Sequence, residues 1–445
     1  MFIFVMIGFG SCYKELVAPV STFKGKVIIV GAGISGLYAA KVLNERGIDV
    51  QIFEASSKIG GRMRSLEQFA DFPIELGAEE VHGEKSTWYN ILRGMKTPFV
   101  NEKTTDYFQL DGKLRSEDDL DKNDDDYAAA QKFVDNIGDY NGAEQSVEQY
   151  VKSQGLPVRV HPLLNSWIGN EYGTDNSKLG VLSLAEGDRK WESGNKNFLL
   201  KGVSMESILQ DYFKAIIPKI KLNTPIKSIN YQGDQINLVD AAQGTYQANF
   251  VIVTVPLKIL KDDVIQFIPK LPADKVNAIR SIGMDVGMKV ILKFKKRFWA
   301  DDLGSLYGGG YVPEFWSTGN GRSKDNTVLT AFVNGPKAAY LSSKGDQAIQ
   351  IILSELDVMY GKGIASGQLE KSFIMDWSKE PWIRGVYSFP SPNSDALRAD
   401  LARPVNNKIY FAGEAANTQG NFGSVHGAIQ AAEVAVDQLI KFIGK

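Results

Sequence analysis

The chain has 445 residues, 44% of them apolar and 23% charged, an ordinary globular composition with enough length for two domains with cores of their own. Lysine plus arginine total 50 against 52 acids, a net charge of -2, so there is no basic field to hold nucleic acid. One cysteine and three histidines exclude an intrachain disulfide, a thiolate cluster and a histidine-rich metal site, which points the chemistry toward an organic cofactor.

The first expected element, within residues 1–23, is a leader. "MFIFVMIGFGSC" is uncharged, apolar and too short to span a bilayer, as the core of a secretory signal is. Gly10 and Ser11 before Cys12 resemble a bacterial lipoprotein box, in which Cys12 is acylated and the lipid alone ties the protein to the cell envelope. No lysine or arginine precedes the run, so the other reading is an uncleaved, frayed N-terminus on a cytoplasmic protein.

From Lys26 the pattern reads strand, turn, helix, strand: "KVIIV", "GAGISG", "LYAAKVLNER", a capping Gly47, then "DVQIFEA". Gly31 permits the tight turn, Gly33 lets backbone N–H groups approach a pyrophosphate, Ser35 opens the helix, and Gly36 lets helix pack on strand. Glu54 ends the second strand, 23 residues after Gly31, where an acid bonds ribose hydroxyls and disfavours a 2′-phosphate. NAD and FAD both fit this unit, and NADP fits it least. Further along, "EDDLDKNDDD" (117–126) reads as a solvated acidic loop, and 128–220 is mostly polar with helical stretches such as "MESILQDYFKAII". Short strands follow in "QINLVD", "ANFVIVTVP" and "KVILKF", and "GAIQAAEVAVDQLIKFI" closes the chain as a buried amphipathic helix.

Four stretches turn the choice of cofactor to FAD. "ASSKIGGRMRS" (55–65), "ELGAEEVHG" (75–83), "VIVTVPLKIL" (251–260) and "YFAGEAANTQGNFGSVHGAIQAAE" (410–433) resemble, in this order, the glutathione-reductase-like FAD enzymes of the flavin-containing amine oxidase family. The resemblance implies an α/β fold: a Rossmann-like FAD domain assembled from 24–86, 200–262 and 398–445, and a mixed-sheet substrate domain with helices in 87–199 and 263–397. It places Gly61, Arg62, Gly77, Ala78, Val253, Gly413, Glu414 and Val425 beside the cofactor, together with the glycines, Ser35 and Glu54 of the first unit. Trp377 flanks the flavin. Arg62 is a fixed cation near the diphosphate, and the helix start near Ser424 turns its positive end toward the ring.

The resemblance also implies oxidation of an amine at the carbon next to nitrogen, to an imine, with the electrons passed on to O2 or another acceptor. Lys289 in "GMKVILKF" is the catalytic candidate near flavin N5; by parity alone Lys289, Lys293 and Lys295 share one strand face, which solvent could cover. Tyr387 is an aromatic wall of the substrate cage, while Ser424 stands where monoamine oxidases have a second tyrosine. Val386 stands where they carry the cysteine that attaches flavin, so FAD is expected to be non-covalent. Glu79 and Glu80 would repel an amino acid's carboxylate and attract a second ammonium, and His82 shares their loop. The expected substrate is therefore a small polyamine or aromatic amine. The alternatives are an L-amino-acid oxidase, an FAD desaturase or porphyrinogen-type oxidase, an NAD dehydrogenase, and a flavin-binding protein of the envelope without turnover.

Overall fold

A computed structural model of the chain describes residues 21–444, so Cys12 and the expected leader lie outside the described residues. Among the described residues no helix is long and apolar enough to cross a membrane.

The run "KVIIV" forms a strand, Lys26–Val30, at the centre of a five-stranded parallel sheet, and Val27, Ile28 and Ile29 have no exposed surface. The strand order is Ile409–Phe411, Phe250–Val253, Lys26–Val30, Asp49–Phe53, Ile220–Lys221. Such continuous apolar runs are what a sheet covered on both faces requires. Register decides where the site forms: Val30 pairs with Phe53 and with Val253, and Val253 pairs with Phe411. Gly31, Glu54, Thr254 and the Gly413–Glu414 corner therefore all leave the sheet at its carboxyl edge, where open α/β sheets bind ligands. The helices Ile34–Glu45 and Val425–Ile443 pack side by side in the same core, and the Tyr38 hydroxyl bonds to Glu433 at 2.8 Å. A smaller sheet of Ile226–Asn230, Ile236–Asp240, Thr245–Ala248 and Gln266–Ile268 extends this unit just past residue 262.

A seven-stranded mixed sheet faces it, in the order Leu369–Asp376, Gly287–Phe294, Val328–Asn334, Glu314–Ser317, Leu303–Tyr307, Thr105–Leu110, Lys113–Ser116. One face of Gly287–Phe294 packs Val290 and Leu292 against Ala338, Leu341, Ile352 and Leu356 of the helices behind it. The other face carries Lys289 and Ile291, with Met375 beside Lys289 on the neighbouring strand, and Leu76 and Trp377 pack on it. Lys289 is buried at 4% exposure, whereas Lys295 lies one residue past the strand's end and is exposed, and the pairing with Leu369–Asp376 is irregular between Lys293 and Phe294, so the expected shared face does not extend to Lys295.

The acidic run 117–126 is not a loop. Ser116 caps a helix, Glu117–Asn123, and Asp124 caps the next, Asp125–Asp135. Acids in a first turn suit the helix dipole, and Leu120 and Tyr127 are buried. Asp124 is itself buried, and its carboxylate binds Arg115 at 2.8 Å and Arg159 at 2.5 Å.

One buried lysine joins separate segments. Lys275, 2% exposed, donates to the carbonyls of Asp400, Leu401 and Arg403 at 2.8, 2.7 and 2.6 Å, at the end of the helix Leu397–Ala402. Removing the ammonium leaves those carbonyls without their donor. Lys275→Met is expected to lower stability by about 2–3 kcal/mol, read as a lower denaturant midpoint; an unchanged midpoint would show that other donors replace it.

Candidate active site

A cavity of about 910 Å³ runs from the carboxyl edge of the parallel sheet to the face of the mixed sheet. Its first part is lined by Gly31, Gly33, Ser35, Glu54, Gly61, Arg62, Gly77, Ala78, Gly413, Glu414 and Val425. Their roles separate by geometry. Gly31 has φ +111, and a Cβ at Gly36 would lie 2.0 Å from the Gly31 carbonyl oxygen, so Gly36 supports the turn without lining the cavity. A Cβ at Gly33 would meet nothing within 4 Å, which leaves open space over the N-terminus of a 12-residue helix with no side-chain cap and no acid in its first turn. Buried Ser35 Oγ has no hydrogen-bond partner among the described residues. That cradle of backbone N–H and hydroxyl donors fits a diphosphate.

Glu54 accepts from Ala32 N at 2.7 Å and from the N–H and hydroxyl of Ser56, both at 2.8 Å, which fixes its carboxylate at the strand end. Val253 is not in the lining. Its side chain sits in the sheet core, 1% exposed, and the wall there is made by Thr254, Val255 and Pro256. Arg62 is held by the Val386 carbonyl at 2.6 Å and by Glu414 at 2.9 Å. Glu414 also accepts from Ser388 Oγ at 2.7 Å and Gly423 N at 2.9 Å. Burial opposes its charge most strongly, yet Arg62, Ser388 and Arg398 hold its carboxyl below the usual range.

The second part of the cavity contains Lys289, Glu79, Glu80, His82, Tyr387, Ser424 and Trp377. Trp377 donates its indole N–H to Leu76 O at 3.0 Å, and Tyr387 its hydroxyl to Glu171 O at 2.6 Å, so both rings are fixed. Ser424 caps the Val425–Ile443 helix, accepting from Gly427 N at 3.0 Å and donating to Asn421 O at 2.6 Å. It therefore faces the cavity with its hydroxyl already occupied. Trp191, Tyr172 and Phe422 add further aromatic wall.

The expected carboxylate pair is split. Glu79 is turned inward, bound by Lys289 at 2.8 Å and Arg322 at 2.9 Å. Burial again opposes its charge most strongly, but the two cations hold its carboxyl below the usual range. Glu80 faces the cavity, 3.6 Å from His82. A larger acidic set surrounds it: Glu171, Glu314, Asp106 and Glu102 also line the space. Glu80 and Glu171 line the cavity and are themselves exposed. Burial, and after it the neighbouring Glu80, raises Glu171; burial, and after it Glu171, pushes Glu314 well above the usual carboxylate range.

Register sets where Glu314 stands. Lys289 and Glu314 both pair with Phe332, and Glu314 pairs with Tyr307, so Lys289, Phe332, Glu314 and Tyr307 form one row across the sheet. With strands 4.7–4.9 Å apart, Lys289 and Glu314 are about 10 Å apart along that row. Sequence reasoning missed Glu314, because a pairing between distant strands leaves no local pattern, and it missed Glu171 and Arg322, which lie in turns that only the tertiary fold brings to the site.

A family model described as "Flavin containing amine oxidoreductase" matches residues 34–179 and 209–440. Polyamine oxidase 1 of Zea mays is 28% identical over 473 residues, covering 94% of this chain and 91% of that protein. Lysine-specific histone demethylase 2 of Homo sapiens is 26% identical over 437 residues, covering 91% of this chain; the chain spans 52% of that protein's length. Among solved structures, putrescine oxidase bound to putrescine superposes with a TM-score of 0.81 at 20% identity over 94% of this chain and 99% of that one. Cyclohexylamine oxidase from Brevibacterium oxydans gives 0.82 at 20% identity, over 95% and 100%. At that identity the two structures speak for the fold.

Proposed function

The chain belongs to the flavin-containing amine oxidoreductases, and from that premise we propose that it oxidises a linear polyamine at a carbon next to nitrogen, using non-covalently held FAD. Bound FAD would supply the acceptor for a hydride equivalent from that carbon, so that the amine would become an imine that water splits to a carbonyl compound and an amine, with O2 as the final acceptor, giving H2O2.

The residues supply binding, orientation and charge. The Gly33–Ser35 cradle and Glu54 suit the diphosphate and a ribose. Val386 offers no sulfur for a covalent link, which supports non-covalent binding. Trp377 and Tyr387 confine the amine between fixed rings. Lys289 presents a buried cation at the junction of the two parts of the cavity.

One observation carries the choice of polyamine. Each arginine or lysine lining the cavity is matched: Arg62 with Glu414, Arg64 with Glu380, Lys289 with Glu79. Glu80, Glu102, Asp106, Glu171 and Glu314 have no lysine or arginine partner among the described residues. Such an excess of carboxylates along one cavity calls for a cationic ligand, and Glu314, the buried one among them, stands about 10 Å from Lys289 along the row, where it offers a second ammonium a place away from the reacting end.

The raised carboxyls fix the direction of a pH effect. Glu171 and Glu314 are protonated to higher pH than ordinary carboxylates, and their ionisation creates the attraction. A linear bis-guanidine stays charged throughout, so its inhibition constant against polyamine oxidation reports the protein's own groups. It is expected to fall as pH rises above the ordinary carboxylate range, and Glu314→Gln is expected to weaken inhibition by about tenfold once that carboxyl is ionised and to flatten the profile. A profile identical in Glu314→Gln would remove Glu314 from the binding site.

A further inference from the structure

Lys289 has an acceptor for every proton of an ammonium: Glu75 O at 3.2 Å, Gly77 O at 2.9 Å and Glu79 Oε2 at 2.8 Å. A neutral amine would turn a lone pair toward one of those oxygens, which none of them can satisfy. The Trp316 ring, 4.9 Å from Nζ, also favours a cation. Glu79's second oxygen is held by Arg322 Nη1 at 2.9 Å, and Arg322 is anchored through Nε to Leu200 O at 3.0 Å. The side chains of Lys289, Glu79 and Arg322 are 5%, 6% and 3% exposed. Glu75, the other acid in contact, directs its carboxylate elsewhere, to Met205 N at 2.7 Å and Ser65 Oγ at 2.8 Å.

We propose that Glu79 and Arg322 are positioning residues for Lys289, and that the three side chains form one fixed unit of net charge +1 where the two parts of the cavity meet, with Lys289 an ammonium and not a proton acceptor. This rests on the chain being a flavin enzyme. Two cations share one carboxylate, so the three side chains carry a full positive charge in a buried place beside Gly77, Ala78 and Trp377; burial pushes the neighbouring Glu75 up to about 7 against the pull of Arg322, so it leaves that charge whole below neutral pH, where the potential is read. Low local dielectric makes such a charge count, and its effect is to favour the electron-rich form of a bound flavin. The carboxylate's part is geometric: without it two like charges would push apart, and Lys289 would lose its shortest bond.

The midpoint potential of the FAD-loaded protein, measured by dye-equilibrated reduction without any amine, tests this. Lys289→Met and Arg322→Met are each expected to lower the potential, shifting the reduced-to-oxidised ratio at least tenfold, about 30 mV for a two-electron couple. Adding Glu79→Gln to Lys289→Met should raise it back toward the native value, because Arg322 alone then supplies the +1. Arg322→Lys should keep the native value. A merely structural role would move every variant the same way or move none. The proposal is overturned if the double variant is as low as Lys289→Met, or if Arg322→Met keeps the native potential. Should the double variant not fold, Arg322→Met decides, since Arg322 does not line the cavity and can reach the cofactor only through this charge. Loss of the polyamine reading would leave this pattern of signs intact and appear only as an absence of reduction by amines.

Discussion

Gly33→Asp is expected to give a folded chain that no longer retains FAD. The site tolerates the new side chain in the protein itself: φ at Gly33 is -70, and a Cβ there meets nothing within 4 Å. Aspartate is also a favoured N-cap, so helix stability should hold or rise by a few tenths of a kcal/mol, roughly the difference from glycine. The same carboxylate would occupy the anion cradle over Ser35. Like charges brought together there cost several kcal/mol, a loss of at least about a hundredfold in affinity. Flavin absorbance relative to protein after purification, set beside an unfolding curve, reads both halves. Native flavin content in this variant would move the diphosphate away from Gly33.

The second large effect is on the reaction. Lys289→Met should slow reduction of the cofactor by the amine about a hundredfold or more, the usual loss when one buried, preorganised electrostatic donor is removed from a reacting site. The fall should appear in the limiting rate, with the amine's apparent affinity little changed, because Lys289 is bound to Glu79 and repels an ammonium rather than holding one. Glu79 keeps Arg322 as its partner in the variant, so the carboxylate is not left alone in the core. Rapid mixing under anaerobic conditions gives the rate, and a native limiting rate would deny Lys289 any part in the chemistry.

What could be read from the sequence follows the range of the interactions. The first strand, glycine turn, helix and Glu54 are contiguous, so periodicity and spacing predicted them, and the distinct parts of Gly31, Gly33 and Gly36 survive as geometry. The closing helix starts at Val425, two residues before the run that periodicity marked and beside the Ser424 that the resemblance implied, which caps it. The row of Lys289, Phe332, Glu314 and Tyr307 was hidden, since it exists only once distant strands find their register. Parity grouped Lys289 with Lys293 and Lys295 but could not show that the 66–76 segment covers one end of that face. For Glu79 and Glu80, adjacency suggested a joint role, and alternation sends one to Lys289 and Arg322 and the other to the cavity. The acidic run hid two helices because its apolar positions, Leu120 and Tyr127, are few and its caps do the specifying.

The most direct measurement is anaerobic mixing of the FAD-loaded protein with a linear triamine while the flavin absorbance is followed, with a diamine, an aromatic amine and an amino acid run beside it. Bleaching by the triamine, faster or at lower concentration than by the others, is the expected result. Flavin that dithionite reduces but that no amine of the panel bleaches would contradict amine oxidation by this chain.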